Sequence, residues 1–249
     1  MTDVPAEPVS PEPPALPGRA SATQGWRDLA FVHWRVDSAT VAPLLPAGLR
    51  PDEFGGSSWV GLIGFVLEGA TIFGSPRIPY FGDFVEVNVR LYALDERGRR
   101  GVVFVSLEAA RLAAVLAARA VFSIPYFWSS TRLERKDGAL HYGSDRHTDR
   151  GARTEFSVRP STRVVTDNPL AEFLTARWAL FVTHHGHPTR LPNTHEQWEL
   201  YEARLESIDD TLLEVAGFPS IAARPPDSVL YSPGVTARFG SSERLNRES

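Results

Sequence analysis

The stretch "FVEVNVRLY", residues 84–92, alternates without a break. Val85, Val87, Val89 and Leu91 fall on one side of an extended chain, and Glu86, Asn88, Arg90 and Tyr92 on the other, because successive side chains of a strand point to opposite faces. Two placements of the polar row are open. In the first the valines face the core and the polar row faces water. In the second the sheet closes on itself, the valines pack outward beneath helices, and the polar row lines an internal cavity. The choice decides whether the chain holds a buried reactive site.

Strand-like segments surround this one. "LAFVHWRV" and "SSWVGLIGFVLEGA" precede it, the latter with Gly61 and Gly64 as expected kinks or bulges. "RGVVFVSLEA" follows across the hairpin-forming "DERGR". "WSSTRLER" and "ALHYGSDR" flank "KDG", a strong hairpin signal. "RTEFSVRPS" comes next, and "SVLYSPGVTARF" is read as a strand or hairpin broken at Pro233-Gly234. "WELYEARLES" fits alternation and helical spacing equally. Helices are expected at "DSATVAPLLP", over 107–122 in the alanine-rich "LEAARLAAVLAARAVF", over 168–178 behind an Asn168 cap and Pro169, and at "DDTLLEVAGF". The pattern is mainly β with peripheral helices.

Composition narrows the function. The chain has 249 residues, 43% apolar and 22% charged, and no cysteine. Thiolate chemistry, disulfides and zinc–thiolate sites are excluded. A net charge of −4 gives no electrostatic reason to expect nucleic acid or an anionic membrane. No run of about 18 apolar residues exists to span a bilayer, and the acidic, proline-rich start lacks an apolar leader segment. The expectation is a cytoplasmic protein with one domain over 21–240, a disordered tail over 1–20 and a frayed end over 241–249. Neither a phosphate loop, a dinucleotide fingerprint nor a nucleophilic serine elbow is present, and no cofactor is expected.

The ordered series "HWRV", "LLPAGL", "WVGLIGF", "FVEVNVRLY", "GVVFVSLEAARLAAVLAARAVFSIPYF", "FLTARW" and "YSPGV" resembles the YqjF-like, DUF2071 family of uncharacterised proteins over residues 26–234. That resemblance implies an acetoacetate-decarboxylase-like fold, a closed β-barrel with a central cavity. In the decarboxylases a strand glutamate points into the cavity, and a later helix ends in a proline turn with two lysines. The first lysine forms a Schiff base, activated by its cationic neighbour. Glu86 matches the glutamate and "AARAVFSIPYFWSS" the helix and turn. After Pro125, however, stand Tyr126 and Phe127. Lys136 is the only lysine, and it lies in "RKDG", an expected exposed turn where the amine stays protonated.

The resemblance leaves a container without the imine chemistry. Glu86 is the candidate catalytic base, and Asn88, Arg90, Tyr92, Tyr126, Trp128 and His141 are the candidate substrate-binding residues. Arg90 can clamp a carboxylate, or Glu86 and Arg90 can simply neutralise each other. The partner expected is a small polar or anionic molecule. The "THHGHP" tract (His184, His185, His187) is read as an exposed loop rather than a metal site, His33 as a structural histidine, and the Trp and Phe residues mostly as core. Three functions fit: an enzyme using acid–base chemistry on a small carbonyl or carboxylate compound, a non-catalytic binder, and a structural or interaction domain whose cavity is self-filled. A cavity well under the ~300 Å³ of ordinary ligand sites points to the third.

Overall fold

The computed structural model describes residues 4–76, 82–111, 125–149 and 151–245. Its described residues are mainly β, with a few short helices. The strand read first is β4, Phe84–Leu94, and it is central. It pairs antiparallel with β3 (Ser58–Ile72) on one edge and with β5 (Arg100–Ala109) on the other. Asp95 closes the β4–β5 hairpin by accepting from the backbone N–H groups of Arg97 and Arg99 at 3.0 and 2.9 Å. β3 in turn pairs with β1 (Ala22–Val36), and β1 with β12 (Ser228–Phe239).

Beyond β5 and β12 the sheet divides. β5 pairs in parallel with β6 (Tyr126–Lys136) at Leu107–Ala109, and with β9 (Ala179–His184) at Val102–Val103. β12 pairs with β11 (Tyr201–Asp210) near Leu230, and with β10 (His187–Thr194) near Phe239. β7 (Ala139–Arg146) and β8 (Arg153–Val164) connect β6 to β11. The edges carry β2 (Arg50–Pro51) and β13 (Glu243–Arg244). Helix α1 spans Ser38–Val41, α2 spans Pro169–Thr175 and α3 spans Leu212–Val215. Asn168 caps α2 by accepting from Leu170 and Ala171 N–H. No helix among the described residues is long and apolar enough to cross a membrane.

β4 buries both faces. Val87, Val89 and Leu91 join a core with Leu140 and Tyr142 of β7 and Phe156 and Val158 of β8. The expected cover for these valines was the 107–122 helix. Among the described residues β7 and β8 supply cover, and residues 107–109 are themselves strand. Parallel pairing with β6 overrides the helix propensity of that alanine-rich sequence; residues 112–122 lie outside the described residues. The opposite row holds Glu86, Asn88 and Tyr92, all buried, with Arg90 half-buried.

Several local expectations change. Gly61 and Gly64 neither kink nor bulge β3, which stays in register with β4 from Val60 to Leu67. The irregularities lie in the β1–β3 pairing, at Arg27/Ala30 and at Thr23/Gly25. The glycines make room instead: a Cβ on Gly61 would meet His33 Nε2 at 2.8 Å, and one on Gly64 would meet the Tyr142 ring at 2.5 Å. β12 runs unbroken through Pro233-Gly234. "WELYEARLES" resolves to a strand from Tyr201, because it completes the edge of β8. The turn at Asp137-Gly138 takes positive φ at both residues, as the sequence required. Residues 4–21 have no regular structure, yet they do not pack against nothing: Glu7 bonds Gly98 O and Arg100, and Trp178 Nε1 donates to Ser10 O. Near the other end, Glu243–Arg244 pairs with β10 where fraying was expected.

Gly64→Ala should destabilise the protein by about 1–3 kcal/mol, the usual penalty for overpacking, since the Tyr142 ring and both flanking strands must shift. Urea unfolding measures it. An unchanged midpoint would mean the ring is not seated on β3.

Candidate functional site

The polar row of β4 opens onto a cavity of about 90 Å³. Glu86 and Asn88 lie at one end. Glu86 is 2% exposed. Its Oε2 accepts from the Tyr126 hydroxyl at 2.6 Å, and its Oε1 from Asn88 Nδ2 at 3.1 Å. Tyr126 reaches it because β6 starts there, in parallel with the end of β5. Burial lifts the Glu86 carboxyl from its ordinary 4.5 to about 7, against the two hydrogen bonds, which favour the carboxylate. Burial, reinforced by Glu86, holds the Tyr126 hydroxyl well above its ordinary value, so it stays protonated. Glu86 therefore exchanges its proton near neutrality, the range that suits a general base.

Arginines gather elsewhere on the wall. Arg90 donates through Nε to the Tyr92 hydroxyl at 3.0 Å and through Nη2 to Leu174 O at 2.8 Å. Tyr92 also donates to Leu174 O at 3.0 Å, so a carbonyl left over at the end of α2 is satisfied. Arg90 does not pair with Glu86. Four residues along a strand separate their Cα atoms by about 13 Å, so mutual neutralisation is out of reach. His33 Nε2 lies 2.7 Å from the Tyr92 oxygen. Burial, then the nearby Arg90 and Arg177, keep His33 well below 6.5 and neutral, in keeping with a structural histidine.

Arg177, just past α2, is the residue the sequence reading missed. It is 4% exposed. Its Nε donates to Phe173 O at 2.7 Å and its Nη1 to Asp52 at 2.5 Å. Asp52, also buried, pairs with Arg100 as well. Arg177 lines the cavity, and its Nη2 has no partner among the described residues. Asn88 Oδ1 is in the same position. His195 lines the cavity too. Its Nδ1 faces Glu196 O at 2.7 Å, which places the proton on Nδ1, and burial lowers it to about 4. Nothing marked either residue out in the sequence, because the partners of Arg177 lie far off in the chain. Much of the remaining wall is aromatic, with Trp26, Phe31, Phe65, Phe104, Trp198 and Phe239, beside aliphatic residues and the polar Gln24, Thr175 and Asn193. These aromatics are shared between core and cavity, not core alone.

The other candidates fall outside. Tyr92 sits behind the wall with Trp59 and Phe173. Trp128 is 38% exposed and packs on His147, ring centres 4.3 Å apart. His141, half-buried on β7, pairs with Glu134 and Ser157 and does not line the cavity. The "THHGHP" tract is the β9–β10 hairpin rather than a loop between unpaired segments, with His185 and Gly186 at its turn. His187 contacts Arg244 there. Lys136 is exposed at the end of β6.

The chain belongs to the DUF2071 family, described as an uncharacterized conserved protein, which it matches over residues 23–236. It is 32% identical over 196 residues to the uncharacterized protein YqjF of Bacillus subtilis (strain 168), covering 78% of this chain and 81% of YqjF. Among solved structures it is similar to the enduracididine biosynthesis enzyme MppR complexed with pyruvate, with a TM-score of 0.64, 18% identity and 93% of each chain covered. It is similar also to acetoacetate decarboxylase from Legionella pneumophila subsp. pneumophila str. Philadelphia 1, with a TM-score of 0.65, 13% identity, and 91% of this chain and 88% of that one covered. At such identities the likeness is one of fold.

Two outcomes follow. Borohydride reduction in the presence of a β-keto acid should trap no adduct on Lys136 of the folded protein; a saturable adduct there would restore imine chemistry. The second concerns pH. Below about pH 4.5 Glu86 is protonated in folded and unfolded chains alike. Between that pH and about 7 the unfolded chain ionises while the folded one keeps its proton, so this stability is lost as pH rises through the folded value, by about 3 kcal/mol in all. Glu86→Gln has no proton to lose. The unfolding free energy of the parent minus that of the variant should therefore fall by about 3 kcal/mol between about pH 4.5 and pH 8.5. A difference that is flat, or that grows, contradicts the raised carboxyl.

Proposed function

We propose that this DUF2071 member is a closed, barrel-like small-molecule enzyme of the cytoplasm, acting on a small carbonyl or carboxylate compound by general acid–base chemistry without an imine. Closure around the cavity is supported by the strand pairings, since stepping from β4 through β3, β1, β12, β10 and β9 to β5 leads back to β4. The observation that carries the chemistry is Glu86: a buried carboxyl on a cavity wall, titrating near 7, held by Tyr126 and Asn88. As carboxylate it would take the proton from a carbon next to a carbonyl. The C–H electron pair would form a C=C bond to the carbonyl carbon as the C=O π pair moves onto oxygen, leaving an enolate. Tyr126 would keep Glu86 oriented and give it back a hydrogen bond throughout. The fold neighbour MppR is complexed with pyruvate, a compact acid of the kind such a cavity suits.

The volume favours a second reading. About 90 Å³ is well below the ~300 Å³ of ordinary ligand sites and fits about three water-sized groups. A self-filled structural domain would have such a cavity. Against it stand Asn88 Oδ1 and Arg177 Nη2, buried polar atoms of two cavity-lining residues with no partner among the described residues, a state that costs about 1–3 kcal/mol per group unless something fills it. A ligand here is therefore compact.

The test is deuterium exchange from the C–H bonds of two- to four-carbon keto and hydroxy acids in D₂O, followed by proton NMR. Exchange should rise with pH around 7 and fall at least ~100-fold in Glu86→Gln. Exchange at the buffer rate for every acid, or full exchange in the variant, removes the catalytic reading.

A further inference from the structure

Arg177 and Asn88 define an order of ligand groups that the proposed activity leaves open. Near the end of α2, Arg100 and Arg177 share one carboxylate, Asp52, and Arg90 lies against Leu174 O. Arg90 spends two donors on Tyr92 and Leu174 O, and Arg100 lies outside the cavity lining. Arg177, which lines the cavity, keeps Nη2 buried and without a hydrogen-bond partner among the described residues. A buried donor of this kind needs an acceptor, and the local excess of positive charge makes an anion the best one. Near Glu86 the requirement is reversed. Asn88 turns Nδ2 to Glu86 Oε1, which leaves Oδ1 as an acceptor without a partner among the described residues. It needs a donor from outside the protein.

Resting on the small-molecule reading above, we infer that the ligand is a short hydroxycarboxylate, its carboxylate on Arg177 Nη2 and its hydroxyl donating to Asn88 Oδ1 beside Glu86. One acidic group and one hydroxyl on a two- or three-carbon frame supply the acceptor and the donor that the two atoms lack, and such a frame matches a cavity of about 90 Å³. Arg90, the arginine that strand alternation singles out, is a positioning residue: it ties β4 and Tyr92 to the end of α2, which carries Arg177. The aromatic wall excludes water from the ligand and strengthens both contacts.

Calorimetric titration of the full chain tests this with glycolate and lactate against acetate and propionate, the same acids without the hydroxyl. Each hydroxy acid should bind at least ~10-fold more tightly than its partner. In Arg177→Lys, which keeps the charge facing Asp52, both kinds should weaken at least ~10-fold. In Asn88→Leu the hydroxy acids should drop to the level of their partners. Circular dichroism and melting temperature confirm that each variant is folded, and the comparison within the parent protein stands even where a variant is not. Equal binding of the paired acids, or full affinity in a folded Arg177→Lys, overturns the assignment while leaving a binding cavity in place. Binding of none of the four at about 10 mM overturns both this assignment and the small-molecule reading.

Discussion

One strand has to satisfy two incompatible surroundings at once. β4 is flanked by β3 and β5 and buried on both faces, so its alternation separates an apolar core from a set of polar groups with no water to serve them. Val87 and Val89 are met by the side chains of β7 and β8. The polar row must be satisfied by protein or ligand, since each unpaired buried group is costly. Much of the surrounding structure follows from this demand. β6 delivers Tyr126 to Glu86, α2 delivers a carbonyl to Arg90 and Tyr92, and Gly61 clears the space in which His33 approaches Tyr92.

The satisfaction is incomplete in a directed way. Glu86 has both oxygens bonded, yet desolvation still dominates and its carboxyl is raised to about 7. Arg177 is anchored on Phe173 O and Asp52 but keeps a nitrogen in hand. A purely structural network would be expected to close these valences, because partly satisfied buried networks are destabilising. The small cavity is consistent with a ligand of few atoms rather than with a roomy pocket.

What was legible in the sequence was local. Period-two alternation gave β4 its bounds and its two faces, and Asp137-Gly138 gave the β6–β7 turn. Glu86, Asn88, Arg90 and Tyr126 reach the cavity wall as expected from alternation and from family resemblance. What stayed hidden depends on contacts distant in the chain. Leu107–Ala109 is strand only because Tyr126–Trp128 lies beside it. Arg177 matters only because Asp52, 125 positions earlier, fixes one of its nitrogens and leaves the other. Trp128 and His141 had suitable chemistry, but their strands aim them elsewhere. An aromatic stripe reads the same whether it packs a core or walls a cavity, so Trp26, Phe65 and Trp198 carried no signal of their own.

The central claim is that Glu86 is a buried carboxyl poised near neutrality. Carbon-13 NMR of protein labelled at the glutamate side-chain carboxyl, with Glu86→Gln used to assign the resonance, reads that claim directly. The account predicts a titration midpoint of about 7 for Glu86. A midpoint at the ordinary carboxyl value of 4.5 would mean that water reaches the polar row of β4, and would contradict it.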